Sequence, residues 1–138
     1  MDTPIRAVRV YLVEDSPIML RLLRELLSAI GIQIVGTSGR AAIAVADIVK
    51  LSPDVVVVDI ALESGTGFDV LRTIARKKLA SRPLCIMLTN HTHERFREAA
   101  ATLGVSYFFD KSEDILHMMK VFADLQAGIP QQGNGTEH

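Results

Sequence analysis

The stretch Ser52-Pro53-Asp54-Val55-Val56-Val57-Val58-Asp59 decides the fold. Four consecutive β-branched residues favour a short strand. A run without polar alternation is the mark of a strand covered on both faces, the habit of parallel sheets. Ser-Pro-Asp breaks the chain before the run, and Asp59 ends it in a carboxylate. Outward from this strand the same rhythm repeats, short apolar runs alternating with longer amphipathic ones. Upstream, Val8–Val13 predicts strand 1, ending at Glu14-Asp15. Ser16-Pro17 then supplies an N-cap and a first helical residue for helix 1, which runs to about Ile30 with Gly31 past its end. Residues 32–36 predict strand 2, and 40–50 helix 2.

Downstream, the Gly-containing loop 63–67 leads to helix 3 over about 68–78. Pro83 precedes strand 4 at 84–88. Residues 89–93 are expected to start helix 4, which closes at Leu103-Gly104. Strand 5 follows at 105–109, then helix 5 over about 112–126, with Ser112 as N-cap and Glu113 and Asp114 in an acidic first turn. Five strands alternating with five helices predict an α/β fold, a doubly wound parallel sheet. Residues 7–126 form one expected domain, and the Gly-, Gln- and Asn-rich stretch 127–138 an expected disordered tail.

The 138 residues are a prior for one domain. Apolar residues at 49% and charged ones at 22% are the balance of a globular chain, not a disordered one. The net charge of −1 argues against direct nucleic-acid binding, which needs a basic face. The basic cluster Arg72, Arg76, Lys77, Lys78 and Arg82 reads as a solvated helix end. The one cysteine, Cys85, excludes an intrachain disulfide, and its apolar surroundings make it a buried small hydrophobe. No apolar run approaches the ~18 residues of a membrane span. The N-terminus lacks the basic and apolar regions of a signal peptide, so a cytoplasmic protein is expected.

Ligands of open parallel sheets bind at the carboxyl ends of the strands. Those ends carry Glu14 and Asp15 (strand 1), Asp59 (strand 3), Thr89 (strand 4) and Lys111 (strand 5). Singly each has an ordinary reading: a helix-start acid, a solvated carboxylate, a β-branched strand end, a surface lysine. Together they place three carboxylates, a hydroxyl and an ammonium on one edge of one sheet. Crowded carboxylates repel and recruit a cation, and carboxylate oxygens suit Mg²⁺, which is commonly completed by phosphate oxygens. A carboxylate can itself become an aspartyl-phosphate, and phosphoryl transfer asks mainly for positioning and charge neutralisation.

The residues that carry this chemistry resemble those of the receiver domains of bacterial two-component response regulators, the chemotaxis-regulator type included. The resemblance covers about residues 7–125. It rests on "VEDSP" with Glu14-Asp15, "PDVVVVDIALESGTGFDVL" with Asp59, "IMLTN" with Thr89, and "GVSYFFDKS" with Lys111. It implies a flavodoxin-like (βα)5 fold with strand order 2-1-3-4-5. It also implies roles. Asp59 is the phosphoacceptor. Asp15 binds Mg²⁺ directly, Glu14 through water, and the Ala61 backbone carbonyl is a further ligand. Lys111 pairs with the phosphoryl group, Thr89 hydrogen-bonds it, and Phe108, three residues before the lysine, turns inward on activation. The donor is a phosphohistidine on a histidine kinase or phosphotransfer protein.

Some positions depart from the commonest pattern. Ser112 stands where a cis-proline is frequent, so a trans bond is expected there. Asn90 stands where a small residue is usual. Ala61 and His91 hold positions that influence phosphate lifetime in similar proteins, which makes Asn90 and His91 candidate modulators. Helix 1 carries more apolar residues than one core stripe needs, and Ile18, Met19 and Leu22 are candidates for partner docking. The expected function is a phosphorylation-dependent switch, not an enzyme, whose helix 4–strand 5–helix 5 surface controls a downstream protein target and serves for homodimerisation. The competing readings are a receiver-like interaction module that is not phosphorylated, and a small phosphohydrolase. Against the latter, the chain lacks the Asp-x-Asp of dehalogenase-type hydrolases, a dinucleotide glycine motif and a P-loop.

Overall fold

The structure, a computed structural model, describes residues 6–134. Its elements are β1 (Arg9–Val13), α1 (Pro17–Ala29), β2 (Gln33–Ser38), α2 (Ala41–Leu51), β3 (Val55–Val58), α3 (Gly67–Arg76), β4 (Leu84–Thr89), α4 (Glu94–Thr102), β5 (Val105–Asp110) and α5 (Ile115–Gln126). The five strands pair in parallel in the order β2-β1-β3-β4-β5.

The valine run shows why the sheet needs two covers. Val56 and Val58 join Tyr11, Val13, Met87 and Phe108 in a core closed by Ile48 of α2, Leu71 of α3 and Ala100 of α4. Val55 and Val57 point the other way, into a core with Leu12, Leu88 and Phe109 closed by Leu23 and Leu27 of α1 and Met118 and Phe122 of α5. Successive strand residues face opposite sides, so a strand with no polar member must be buried twice. Each buried Val, Leu, Ile, Met or Phe among them contributes roughly 1.5–3 kcal/mol by leaving water. Cys85 lies in the first core, and burial pushes its thiol up to about 11, partly offset by Arg82, so it is packing and not a nucleophile.

Local chemistry moves several helix starts from their predicted places. Thr66 caps α3 in a reciprocal capping box with Asp69, which starts the helix one residue early. α4 begins at Glu94, capped by His93, whose Nδ1 accepts from the Arg95 N–H; Thr89 stays in β4. α5 begins at Ile115, not Ser112. The Ser112 N–H and hydroxyl both donate to Asp110 Oδ1, and Asp114 Oδ2 accepts from the Asp110 N–H. This side-chain turn satisfies the backbone in a non-helical shape and delays the helix. The Lys111–Ser112 bond is trans.

The stretch 127–134, which follows α5, forms no further helix or strand. Gln131, Gly133 and Asn134 are hydrogen-bonded to β5. Residues 135–138 lie outside the described residues.

Candidate functional site

Each site residue is delivered by a strand end. The Asp59 N–H donates to the Val13 carbonyl at 3.0 Å, continuing the β1–β3 ladder one step past β3. The Glu14 N–H donates to Ser38 O at 3.0 Å, and the Lys111 N–H to Thr89 O at 3.0 Å. Residues just past the ends of β1, β3 and β5 are therefore held by neighbouring main chain, not by loops.

Their side chains meet. Lys111 Nζ lies 2.6 Å from Asp59 Oδ2 and 2.6 Å from Glu14 Oε1. Glu14 and Asp59 are buried and Lys111 is nearly so, with side-chain exposures of 4%, 7% and 9%. The free oxygens are also occupied. Asp59 Oδ1 accepts from the Ile60 N–H at 2.6 Å, and Glu14 Oε2 accepts from the Asp15 and Ser16 N–H groups at 3.0 Å. Burial raises the Glu14 pKa, and the hydrogen bond from Lys111 opposes it without cancelling it. Burial works against the Lys111 ammonium, but its hydrogen bonds to Asp59 and Glu14 win, and its pKa stands above the ordinary lysine value. One ammonium against two buried carboxylates leaves an excess of negative charge. Such a site favours a further cation, and it offers oxygen donors only.

The other predicted residues take varied places. Asp15 is exposed at the β1 end: its main-chain N–H holds Glu14, and its carboxylate stands outside the cluster's hydrogen bonds. Among the described residues, no three acidic, histidine or cysteine side chains are gathered into a ready metal cage. Lys111 holds Glu14 and Asp59 together instead, and Asp15 faces solvent. Ala61 is exposed in the β3–α3 loop, which is pinned by an isolated bridge between Ala61 and Thr66. Thr89 is fully buried, and its hydroxyl accepts from the His91 N–H at 3.1 Å. Asn90 and His91 are exposed in the β4–α4 loop, with the His91 ring edge-on to Phe96 at 6.3 Å. Phe108 already points inward, 2% exposed, with the Arg97 guanidinium 4.5 Å above its ring. On α1, Ile18 and Leu22 are exposed, Ile18 at 83%, and Met19 is half-buried.

Two features escaped sequence reasoning. The Ile60 N–H that holds Asp59 is a main-chain group and leaves no residue-type signal. Gly67, read only as part of the Gly-containing loop 63–67, packs against the end of β3: a Cβ there would collide with the Asp59 carbonyl oxygen. Its glycine was visible, but its partner, eight residues upstream, was not.

With this geometry in place, the chain can be set beside known proteins. Residues 10–123 match the family described as the response regulator receiver domain. The chain is 30% identical over 88% of its length to the DNA-binding transcriptional activator DevR/DosR of Mycobacterium tuberculosis, of which it spans 55%. It is 37% identical over 72% of its length to a protein-glutamate methylesterase/protein-glutamine glutaminase of Agrobacterium fabrum, of which it spans 28%. Its length thus corresponds to about half or less of these curated relatives. Among solved structures, a LuxR-family two-component response regulator from Aurantimonas sp. superposes with a TM-score of 0.79 at 25% identity, covering 95% of this chain and 93% of that one. The response regulator domain of Thermotoga maritima CheB superposes with a TM-score of 0.75 at 23% identity, covering 89% and 96%.

Proposed function

The chain belongs to the response regulator receiver-domain family, whose members are phosphorylation-dependent signalling switches, and from that premise we propose that Asp59 is its phosphoacceptor. The observation that carries the reading is the buried contact of Lys111 Nζ with Asp59 Oδ2 at 2.6 Å, shared with Glu14 at the carboxyl edge of the sheet.

The transfer follows from that geometry. An Asp59 carboxylate oxygen attacks the phosphorus of a phosphohistidine. The new P–O bond forms as the P–N bond breaks. The donor imidazole, protonated on its other nitrogen, leaves neutral with the bonding pair. Lys111 then turns from a bare carboxylate to a group carrying up to about two negative charges. Thr89, at the adjacent strand end, offers its hydroxyl to a phosphoryl oxygen. Ile60 keeps its N–H on Asp59 and orients the carboxylate.

The excess negative charge and the all-oxygen donors fit Mg²⁺. Asp15, Asp59 and the Ala61 carbonyl would hold it directly and Glu14 through water. When bound, it neutralises charge on the phosphoryl oxygens. Lys111 bridges Glu14 and Asp59, so it shares these carboxylates with the metal.

The donor is a histidine kinase or a histidine phosphotransfer protein, and the output is a downstream protein controlled through α4, β5 and α5. That same surface serves for homodimerisation. The protein is a cytoplasmic switch that assists only its own phosphorylation and dephosphorylation. None of its described helices is long and apolar enough to cross a membrane. Incubation with acetyl phosphate and Mg²⁺, followed by intact mass, tests the reading. One added phosphoryl group is expected on the wild type and none on Asp59→Asn. Wild type that stays unlabelled with every donor favours the interaction module, and sustained multiple turnover favours a phosphohydrolase.

A further inference from the structure

β2 ends at Ser38, and Gly39-Arg40 lead directly into α2. β1 lies between β2 and β3 in the sheet, so the loops that follow β2 and β3 are not carried by neighbouring strands. They are nevertheless joined. The Glu63 N–H donates to Gly39 O at 2.9 Å and the Ala41 N–H to Ser64 O at 2.9 Å, and Arg40 and Ser64 form an isolated parallel bridge. The join crosses the carboxyl end of β1. Ser38 O accepts from the Glu14 N–H at 3.0 Å, and Gly39 lies against Asp15.

The crossing is tight, and glycine makes it possible. A Cβ on Gly39 would stand 2.5 Å from Asp15 Cβ and 2.8 Å from Asp15 Cα, well inside the roughly 3.5–4 Å at which carbon atoms pack. From the other loop, Gly65 has a φ of +74°, and a Cβ there would stand 2.7 Å from Ala41 Cβ. The Ser38 hydroxyl accepts from the Arg40 N–H at 3.1 Å and shapes the turn. The Arg40–Glu63 ion pair spans the same join at 3.4 Å, but both partners are more than half exposed, so it adds little. Ala61 is bridged to Thr66 within its own loop, so the loop is a closed unit whose middle, Glu63 and Ser64, is tied to 39–41. The Asp15 carboxylate, by contrast, accepts from no donor among the described residues, and the packing of Gly39 on its Cα and Cβ is what constrains it from the β2 side.

We propose that residues 38–41 and 63–65 form a clasp that sets the Asp15 carboxylate relative to the Ala61 carbonyl, and that Gly39 is a positioning residue acting through Asp15; this rests on the reading of those two groups as direct Mg²⁺ ligands. The two groups sit on different loops, after β1 and after β3. Mg²⁺ demands near-ideal octahedral geometry, so its affinity depends on how well the two loops are held to each other. The clasp is the segment that touches both. Groups that orient metal ligands without touching the metal typically account for about 10–100-fold in affinity.

The test is a Mg²⁺ titration by calorimetry on the unphosphorylated full chain, with the urea midpoint in chelator as the check that each variant is folded. Gly39→Ala presses on Asp15. Gly65→Ala disturbs the same clasp from the other loop and decides the matter if Gly39→Ala does not fold. Gly31→Ala is the control, a left-handed glycine with nothing within 4 Å of an added Cβ. Gly39→Ala and Gly65→Ala are each expected to weaken Mg²⁺ binding roughly tenfold or more, and Gly31→Ala to leave it unchanged. A double-mutant cycle separates positioning from mere structure. Gly39→Ala added to Asp15→Asn should weaken binding no further than Asp15→Asn alone. Wild-type affinity in the folded clasp variants would overturn the clasp, and full additivity with Asp15→Asn would overturn the action of Gly39 through Asp15. A wild type that binds no Mg²⁺ would overturn the cation site itself, and the clasp with it.

Discussion

The protein holds pairs of a basic side chain and a carboxylate in two environments. On the flank of α1, Arg21 and Glu25 are 84% and 67% exposed and stand 3.6 Å apart. At the carboxyl edge of the sheet, Lys111 stands 2.6 Å from two carboxylates, all under a tenth exposed. Water screens the first pair and competes for it, so its net value is a few tenths of a kcal/mol. The second is cut off from water, so its charges must satisfy one another. Removing a single member there exposes the cost of burying the rest. Surface pairs decorate this fold, whereas a change of charge in the cluster has little water to screen it.

Substitutions can break that contrast, and the largest effect is chemical. Asp59→Asn is expected to lower phosphoryl incorporation by more than about a hundredfold, since the acceptor oxygen is lost. The same variant relieves the excess negative charge while leaving Lys111 on Glu14, so its urea midpoint should equal or exceed that of the wild type. A clearly lower midpoint would show that the cluster is net stabilising as it stands.

Lys111→Met leaves two buried carboxylates facing each other. A loss of about 3 kcal/mol in urea unfolding is expected. Lys120→Met, on the exposed face of α5 beside Asp124, should cost under about 0.5 kcal/mol. Equal costs would erase the distinction between the two environments.

Cation binding sharpens the comparison next. At Mg²⁺ ten times its dissociation constant, the wild type should gain about 1.4 kcal/mol. Asp59→Asn should gain far less, and removal by a chelator should reverse the gain. A thermal-shift titration reads this directly.

pH supplies opposite signs. The Lys111 pKa is raised in the folded protein. Its contribution is therefore complete below the ordinary lysine value and is lost as pH climbs through the raised one. The Asp69 pKa is lowered, first by the Thr66 N–H and then by Arg72. Its contribution is present above the ordinary aspartate value and fades as pH falls through the lowered one. Lys111→Met should thus flatten the alkaline limb of the stability profile, and Asp69→Asn should slightly flatten the acid limb. The reverse assignment would contradict both directions. The smallest effect is expected for Arg21→Ala, whose stability should lie within about 0.5 kcal/mol of the wild type.

Much of this was legible in the residues, for physical reasons that can be named. The valine run and the turn residues around it were enough for a doubly wound sheet, because period and punctuation are local. Glu14, Asp59 and Lys111 could be placed at strand ends, and the topology then brings them together. What stayed hidden depends on partners distant in the chain. Ser112 was read as a helix cap because its type suits one; the pull of Asp110 on it is a matter of geometry. Asp15 was grouped with its neighbour Glu14, yet one side chain turns into the cluster and the other to solvent, as successive residues at a strand end do. The hydrogen bonds of Asn134 to Ser106 and Phe108 were not legible either, because main-chain groups of β5 carry no residue-type signal.

Asp59 is the residue proposed to take up the phosphoryl group. The direct measurement is to label the protein with acetyl phosphate and Mg²⁺, reduce it with borohydride, and sequence the peptide spanning residue 59 by mass spectrometry. Reduction of an acyl phosphate converts that aspartate to homoserine, so homoserine at position 59 and nowhere else is the predicted result. An unreduced Asp59 in protein that carries the label, or homoserine at Asp15 instead, would contradict it.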